Sequence, residues 1–133
     1  MKLKRYLLDT DVFSFLIDGR HPEVRMRALK AKQLFVSSIT AAEIEFGVRK
    51  RNSKRLRSLI DMFREMYPVV DWSAEMVGDY AEIRLALEKS GTPIGDLDML
   101  IAAVARHGDY VLVTNNTSHF GRIPGLKIEN WVK

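Results

Sequence analysis

The sequence predicts an α/β protein, a three-layer α/β/α sandwich around a mostly parallel sheet. Short apolar runs alternate along the whole chain with segments of helical length and helical periodicity. The run YVLVTNN at 110–116 is so apolar that it predicts a central strand buried on both faces, as parallel strands are. Helices that connect parallel strands by right-handed crossovers then cover both faces of the sheet. At 133 residues the chain suits one domain, which we predict over residues 1–133.

The first half of the chain predicts two strands and four helices. A strand that ends at Leu8 leads through Asp9 into a short helix, and Gly19 is suited to end that helix. Ser53 stands where a further helix begins. In chain order we predict a strand at 4–8, a helix ending near Gly19, a helix at 24–32, a strand at 33–38, and helices at 39–51 and 53–66.

The second half predicts three strands and two long helices. Ser73 is a good N-cap for a helix that runs to Ser90 and stops at Gly91. An alanine-rich helix opens with acidic residues and is closed by Gly108. The strands are expected at 69–72, at 110–116 and within 124–133.

Composition favours a polyanionic partner and excludes several kinds of site. The formal net charge is +4 and the isoelectric point is near 9.5, which is compatible with nucleic-acid binding. No cysteine is present, so disulfides, thiolate metal sites and cysteine nucleophiles are excluded. No apolar run approaches the roughly 20 residues that would span a bilayer, and we predict a cytoplasmic protein.

One short segment concentrates positive charge, and two interpretations remain open for it. It is either a solvated helix face with a turn between helices or a surface that binds the phosphates of a nucleic acid. No aromatic residue interleaves it, so a platform for base stacking is not indicated. Its cations are Arg49, Lys50, Arg51, Lys54, Arg55 and Arg57.

Polar residues follow several of the predicted strands. In open α/β sheets ligands bind beyond the carboxyl ends of the strands, where strand-to-helix connections gather side chains. The residues expected at this edge are Asp9, Glu43, Asp96, Asp98, and the turn Thr114-Asn115-Asn116. Carboxylates this close repel each other, and a divalent cation is the simplest way to neutralise them. Oxygen donors without cysteine favour Mg²⁺, with Mn²⁺ as a substitute, over Zn²⁺.

Each of these residues also has a purely structural interpretation. Thr40 and Glu43 fit a capping box, in which each side chain satisfies a backbone amide of the other residue. Asp96 and Asp98 suit the positive end of a helix dipole, and Asp11 suits the cap or first turn of the helix after Asp9. The remaining polar candidates are assigned to a turn or to surface and packing positions, and they are Thr114, Asn115, Asn116, His21, His107 and His119.

Two family resemblances explain the acids differently. YLLDTDV, VLVTN and GDLD are similar to three motifs of the haloacid dehalogenase-like phosphatases, with Asp9 as the nucleophile. In that family, however, the acidic motif comes last, whereas here GDLD at 95–98 precedes VLVTN at 111–115. The phosphatase is therefore kept as an alternative.

The second resemblance keeps the motifs in order and spans nearly the whole chain. SSITAAEIEFGV, PIGDLDMLIAA and VLVTNNTSHFGRIPGLKIENW resemble the PIN-domain ribonucleases, specifically the VapC toxins of VapBC toxin-antitoxin modules. The resemblance implies a PIN-like fold and a Mg²⁺-dependent endoribonuclease whose acids map onto Asp9, Glu43 and Asp98. The family's fourth acid falls where this chain has Asn115 and Asn116, so Asp96 is a candidate for the missing charge.

The family also implies roles for other residues and for partners. Thr114 and Asn116 would orient water or phosphate, and the basic segment would hold RNA. The expected partners are an RNA substrate, a VapB-type antitoxin and a second copy in a homodimer. Phe13, Phe15 and residues 59–66 are candidates for those protein surfaces. A PIN-like protein that binds RNA without cutting it is the remaining alternative.

Overall fold

Five parallel strands form the central sheet, in the order β3-β2-β1-β4-β5. The structure is a computed structural model and describes residues 3–133. The strands are β1 (Tyr6–Leu8), β2 (Leu34–Ser37), β3 (Val69–Val70), β4 (Val111–Val113) and β5 (Lys127–Glu129). The helices are α1 (Thr10–Asp18), α2 (Pro22–Lys30), α3 (Ser38–Arg51), α4 (Lys54–Met66), α5 (Val77–Lys89), α6 (Asp96–His107) and α7 (Thr117–Phe120).

Two hydrophobic clusters lie on opposite faces of the sheet. Side chains alternate along a strand, so Leu7 and Leu112 pack with α5 and α6, whereas Leu8 and Val113 pack with α1, α2 and α4. All four of these strand side chains are fully buried. The predicted α/β/α sandwich is confirmed, and the sheet is entirely parallel.

Strand β1 is central and determines where the strand ends meet. Leu8 pairs with Val36 of β2 on one side and with Val113 of β4 on the other. The ladder continues one residue further, because the Asp9 backbone N–H donates to the Val113 carbonyl at 3.0 Å. The residues that follow β1, β2 and β4 therefore share one edge of the sheet.

The predicted elements are mostly present, but some of their bounds are wrong. Ser73 does not cap a long helix: it precedes a 3₁₀ turn at Ala74–Met76, its side chain makes no capping bond, and α5 begins only at Val77. The stop at Gly91 is confirmed, because this glycine has the positive φ of 67° that follows many helices. The short helix α7 was not predicted.

The described helices are too short or too polar to cross a bilayer: none in residues 3–133 has a sufficiently long apolar stretch. The cytoplasmic location and the single domain over residues 1–133 both stay predictions.

Candidate active site

Asp9 ends β1 and also starts α1. Its Oδ1 atom accepts a hydrogen bond from the Val12 N–H at 2.9 Å, so Asp9 is the N-cap of the helix. The prediction that Asp11 caps this helix is wrong, although Asp11 does lie in the first turn as the alternative had it. Asp9 is 5% exposed, so its carboxylate is almost fully withdrawn from water.

Burial is the main reason that the pKa of the Asp9 carboxyl is raised to about 6, and the negative charges of Asp11 and Asp98 contribute in the same direction. Hydrogen bonds from the Thr114 side chain and the Val12 N–H act in the opposite direction. These two hydrogen bonds do not fully compensate the loss of water around the ionised carboxylate. A bound cation would stabilise the charge, as expected for a metal ligand.

Thr114 connects Asp9 to the turn after β4. Thr114 is completely buried, and its hydroxyl hydrogen-bonds to Asp9 while it accepts the Asn116 backbone N–H at 2.9 Å. Asn115 is exposed and accepts from Asn130 at 3.4 Å, so it points away from this chain of hydrogen bonds. The structure therefore places Thr114 beside Asp9 and the Asn116 backbone beside Thr114, and it leaves Asn115 outside this chain of hydrogen bonds.

Glu43 is not part of a capping box. Helix α3 begins at Ser38, and its N-cap is Ser37, whose hydroxyl accepts the Thr40 N–H at 3.1 Å. Thr40 therefore lies inside the first turn, and Glu43 lies one turn further on. The Glu43 carboxylate instead accepts a hydrogen bond of 2.6 Å from the hydroxyl of Thr10, the residue after Asp9.

A row of hydroxyl groups supports the Glu43 side chain. The Thr10 and Thr40 hydroxyls are 3.1 Å apart, and the Ser37 hydroxyl lies 3.4 Å from that of Thr40. Ser37 and Thr40 are completely buried, which fixes their positions. Thr10 therefore holds one oxygen of Glu43, Oε1, and was missed because a threonine between two aspartates has no distinctive pattern.

Asp98 and Asp96 lie two residues apart at the start of α6 but have different environments. Asp98 is half-buried, and its pKa is raised by burial and by the charges of Glu43 and Asp11. Asp96 is the first residue of the helix and is exposed. Residues two apart on a helix point in different directions, so Asp98 faces the other acids and Asp96 does not join them through the helix.

Two further residues belong to the surroundings of the acids. Asp11 is exposed, yet its charge acts on both Asp9 and Asp98. His119 is half-buried, and its Nδ1 lies 2.8 Å from the Asn116 Nδ2. The positive charge that His119 can carry lowers the pKa of Asp98. His119 therefore contacts the Asn116 amide near the acids, and its assignment to the surface or to packing stays a prediction.

The donor atoms suit a hard divalent cation, but the acids are not closed around one. Asp9, Glu43 and Asp98 offer carboxylate oxygens only, and the pKa values of Asp9 and Asp98 are raised chiefly by burial and secondarily by neighbouring negative charges. Within residues 3–133 no three histidine or acidic side chains already lie close enough together to hold a metal ion.

The basic segment lies across the end of α3 and the start of α4. Lys50, Arg51, Lys54 and Arg55 are exposed. Two other cations of the segment are already paired, since Arg49 and Arg57 both contact Glu45, at 2.8 and 2.6 Å.

These ion pairs also lower the pKa of the Glu45 carboxyl. The Arg57 and Arg49 hydrogen bonds lower the pKa of Glu45 to about 2. The free positive charge of the segment is therefore smaller than the sequence suggests, and Arg49 is the member of the predicted RNA-binding set that has an acidic partner.

The residues predicted for protein surfaces separate into core and surface. Phe13 is completely buried and belongs to the core, so that part of the prediction is wrong. Phe15 is half-buried, and its ring contacts the imidazole ring of His21 and the guanidinium of Arg20. In α4, Met62 and Met66 are exposed at 49% and 54%.

Residues 6–126 of the chain match the PIN domain. The chain is 38% identical over 133 residues to Ribonuclease VapC2 of Rickettsia felis, with 96% of this chain and 98% of the relative covered. It is 33% identical over 129 residues, with the same coverage, to the tRNA(fMet)-specific endonuclease VapC of Shigella flexneri. Among solved structures it is similar to VapBC2 from Rickettsia felis bound to a DNA fragment from its promoter, with a TM-score of 0.85, 36% identity and coverage of 95% and 98%. A DNA-bound VapBC from Salmonella typhimurium gives a TM-score of 0.87 with 33% identity over 97% and 99% of the two chains.

The chain belongs to the PIN-domain family, whose model matches residues 6–126. Within that family its relatives of near full length are VapC proteins. The resemblance predicted from the sequence motifs is confirmed, and these relatives give no support to the haloacid dehalogenase-like alternative.

Proposed function

We propose that this chain is the toxin of a type II toxin-antitoxin module and a divalent-metal-dependent endoribonuclease that hydrolyses phosphodiester bonds of RNA. The single observation that carries the proposal is the convergence of Asp9, Glu43 and Asp98 at one sheet edge, with raised pKa values at Asp9 and Asp98. Relatives named as ribonucleases over nearly the full length of the chain support it.

Asp9 and Asp98 are the residues that would hold Mg²⁺ or Mn²⁺, with Glu43 close by. When bound, the cation supplies the positive charge that neutralises the acids and stabilises the attacked phosphate. Asp9 is held ready for this role because the Val12 N–H and the Thr114 side chain fix its carboxylate. Asp96 is the weaker candidate for a ligand, since it is exposed at the first position of α6.

Glu43 is the residue that would accept a proton from the attacking water. The Thr10 hydroxyl holds the Oε1 atom, and Oε2 is left for the reaction. Thr114 and Asn116 would orient water or phosphate from the turn after β4, where the Asn116 amide is fixed by His119.

Lys50, Arg51, Lys54 and Arg55 would hold the phosphates that flank the cleaved bond. These side chains are exposed at the far end of the same helix that carries Glu43, or just beyond it. Arg49 would contribute only by exchanging its contact with Glu45 for a phosphate. Binding through phosphates would make activity sensitive to salt.

A VapB-type antitoxin and a second copy of the chain are the proposed protein partners. Solved structures similar to this chain are VapBC complexes, which supports the antitoxin. The homodimer rests on the family resemblance. The exposed Met62 and Met66 of α4 and the half-buried Phe15 of α1 are the candidates for contact surfaces.

The test is cleavage of structured RNA by the purified chain. Mg²⁺ or Mn²⁺ should support endonucleolytic cleavage, and EDTA should stop it. The antitoxin, added in equal amount, should inhibit the reaction. RNA binding without cleavage across a series of divalent metals would instead favour the non-catalytic alternative and refute the nuclease.

A further inference from the structure

A second charged surface lies at the opposite end of the sheet from Asp9, where the strands begin. Lys4 precedes β1, Lys30 ends α2 and Lys32 precedes β2. Together with Arg27 of α2 they line a hollow of about 330 Å³, whose aromatic walls are Tyr6 and Trp131. We call Lys4, Arg27, Lys30 and Lys32 the basic edge.

Positive charge is in excess on the basic edge. Glu129 is the acidic partner of two of its members: Oε2 contacts the Lys4 Nζ at 3.1 Å, and Oε1 contacts the Arg27 Nη2 at 3.0 Å. Both oxygens of Glu129 are thus in use, and Trp131 Nε1 also donates to Oε1 at 3.1 Å. Lys30 and Lys32 are exposed and have neither a hydrogen bond nor an ion pair with other side chains of residues 3–133.

The positive surface continues beyond Lys4. A neighbouring hollow of about 320 Å³ is also lined by Lys4 and adds Arg5 and Lys127. Lys127 is paired with Asp109 at 3.0 Å, and the guanidinium of Arg5 lies 4.1 Å from the centre of the Tyr110 ring. Lys30 and Lys32 are therefore the cations most available to a new partner.

We propose that the basic edge binds RNA phosphates remote from the cleaved bond, an inference that rests on the proposed nuclease function. Long, exposed ammonium groups match phosphate oxygens, which are acceptors without sequence information. Trp131 is only 3% exposed, so it cannot stack on a base, and the contact is to the backbone.

The separation of the two ends fits a folded RNA. Lys4 and Asp9 flank β1, and an extended chain rising about 3.3 Å per residue separates their Cα atoms by roughly 17 Å. At roughly 3.4 Å per nucleotide in B-form DNA about five nucleotides of one strand cover that distance, and the more compact A-form stem of an RNA needs slightly more. An RNA with an unpaired loop at the acids can therefore place phosphates of its stem on the basic edge.

The test compares binding of two RNA probes in EDTA, where no cleavage is expected. The probes are a fluorescent hairpin substrate and its loop as a separate unpaired oligonucleotide. The variant is Lys30→Gln/Lys32→Gln, accompanied by the two single variants. Lys89→Gln is the matched control for each single variant, since Lys89 is an exposed lysine in the last turn of α5.

We expect the double variant to bind the hairpin about tenfold more weakly at low salt. The slope of log K against log salt should fall by about 1.5, because each phosphate contact contributes roughly 0.7 to 0.9 to it. Affinity for the loop alone should be unchanged, as should hairpin affinity in the Lys89→Gln control.

Unchanged hairpin affinity and salt slope in the double variant would overturn the proposal. An equal loss in Lys89→Gln would also overturn it, because the effect would then be one of net charge. Loss of polyglutamate binding with hairpin affinity intact would assign the edge to an acidic protein segment instead. The binding readout is independent of cleavage, so a wild-type chain that cuts no RNA refutes only the nuclease.

Discussion

The two ends of the sheet carry opposite charge in opposite surroundings. At the carboxyl ends, Asp9 is almost fully buried, and burial and neighbouring acids raise its pKa to about 6. At the amino ends, Lys30 and Lys32 are exposed, and the Glu129 carboxylate already contacts Lys4 and Arg27. Asp9 has lost hydrogen bonds to water that protein donors replace only in part, whereas Lys30 and Lys32 remain solvated.

The difference in burial and charge suits the two ends of the sheet to different roles, the acids to the cleavage reaction and the lysines to RNA binding. A buried acid cluster repels phosphate until a cation neutralises it, so it cannot supply the affinity for RNA. Exposed cations attract phosphate from a distance but do not activate water. Variants at the acid end should therefore change the rate of cleavage, and variants at the basic edge should change the affinity for RNA.

The largest expected effect is at the acid end, in Asp9→Asn. Cleavage should fall by at least about a thousandfold because a neutral amide cannot hold the cation as a carboxylate does. The fold should survive, since asparagine is as good an N-cap as aspartate. Circular dichroism and cleavage of a labelled RNA measure both properties.

Asp11→Asn is the matched control for that variant. Asp11 is exposed in the first turn of α1, so the change should leave stability and most activity intact. Equal loss in the two variants would show that both aspartates belong to the reacting group.

A second pair of variants, at Asp98 and Asp96, tests which acid of α6 belongs to the site. Asp98→Asn should lower cleavage by about a hundredfold or more, because Asp98 is half-buried beside the charges of Glu43 and Asp11. Asp96→Asn should cost little more than a helix-dipole contribution of about 0.3 to 1 kcal/mol in stability. Initial cleavage rates at saturating Mg²⁺ distinguish the two, and an Asp96 variant as slow as the Asp98 variant would make Asp96 a ligand.

The pH dependence of the unfolding free energy should reveal that the ionised form of Asp9 is unfavourable in the folded protein. The folded-state pKa of Asp9, about 6, lies above its unfolded value of 3.8. The contribution of Asp9 to stability is therefore present below pH 3.8 and is lost as the pH rises through 6. Relative to Asp9→Asn, the metal-free wild type should lose about 3 kcal/mol of unfolding free energy over this range.

Urea unfolding in EDTA at a series of pH values measures that difference. Other acids titrate in the same range, and those that do not interact with Asp9 are common to both proteins and cancel in the comparison. Parallel stability curves for the wild type and Asp9→Asn would contradict the assignment of a raised pKa to Asp9.

A smaller effect is expected from the hydroxyl that holds Glu43. Thr10→Val removes the donor of the 2.6 Å hydrogen bond and should lower kcat about tenfold to a hundredfold. The KM for RNA should stay nearly constant, because Thr10 contributes nothing to phosphate binding. Thr10→Ser keeps the hydroxyl and should restore most of the rate. Failure of the serine variant to do so would assign Thr10 a packing role.

The sheet and the location of the acids were predictable because they follow from chain order. Apolar runs mark the strands, and the residues after parallel strands must meet at one edge. Asp9 and Thr114 were therefore found correctly beside each other. The roles of Asp9, Glu43, Asp98, Thr114 and Asn116 in catalysis, and the dependence on Mg²⁺, remain proposals.

Other features depend on contacts that no short motif encodes. The sequence SSIT offers several possible caps, and Ser37 becomes the cap because β2 pairs with β3 up to that residue. The contact of His119 with Asn116 was not predicted because α7 has four residues and too little periodicity to be recognised. The basic edge was not predicted because Lys4 joins Arg27, Lys30 and Lys32 only through the pairing of β1 with β2. The more conspicuous basic run after Glu45 is partly neutralised by that residue.

The central claim is that Asp9 and its neighbouring acids hold a divalent cation, and calorimetric titration of Mn²⁺ into the free chain tests it most directly. At pH 6 the wild type should bind Mn²⁺ and release about half a proton per ion, because Asp9 is then near its pKa and must lose its proton to bind. The release should approach zero at pH 8, and Asp9→Asn should bind far more weakly at both pH values. Equal Mn²⁺ binding by the wild type and Asp9→Asn would contradict the account.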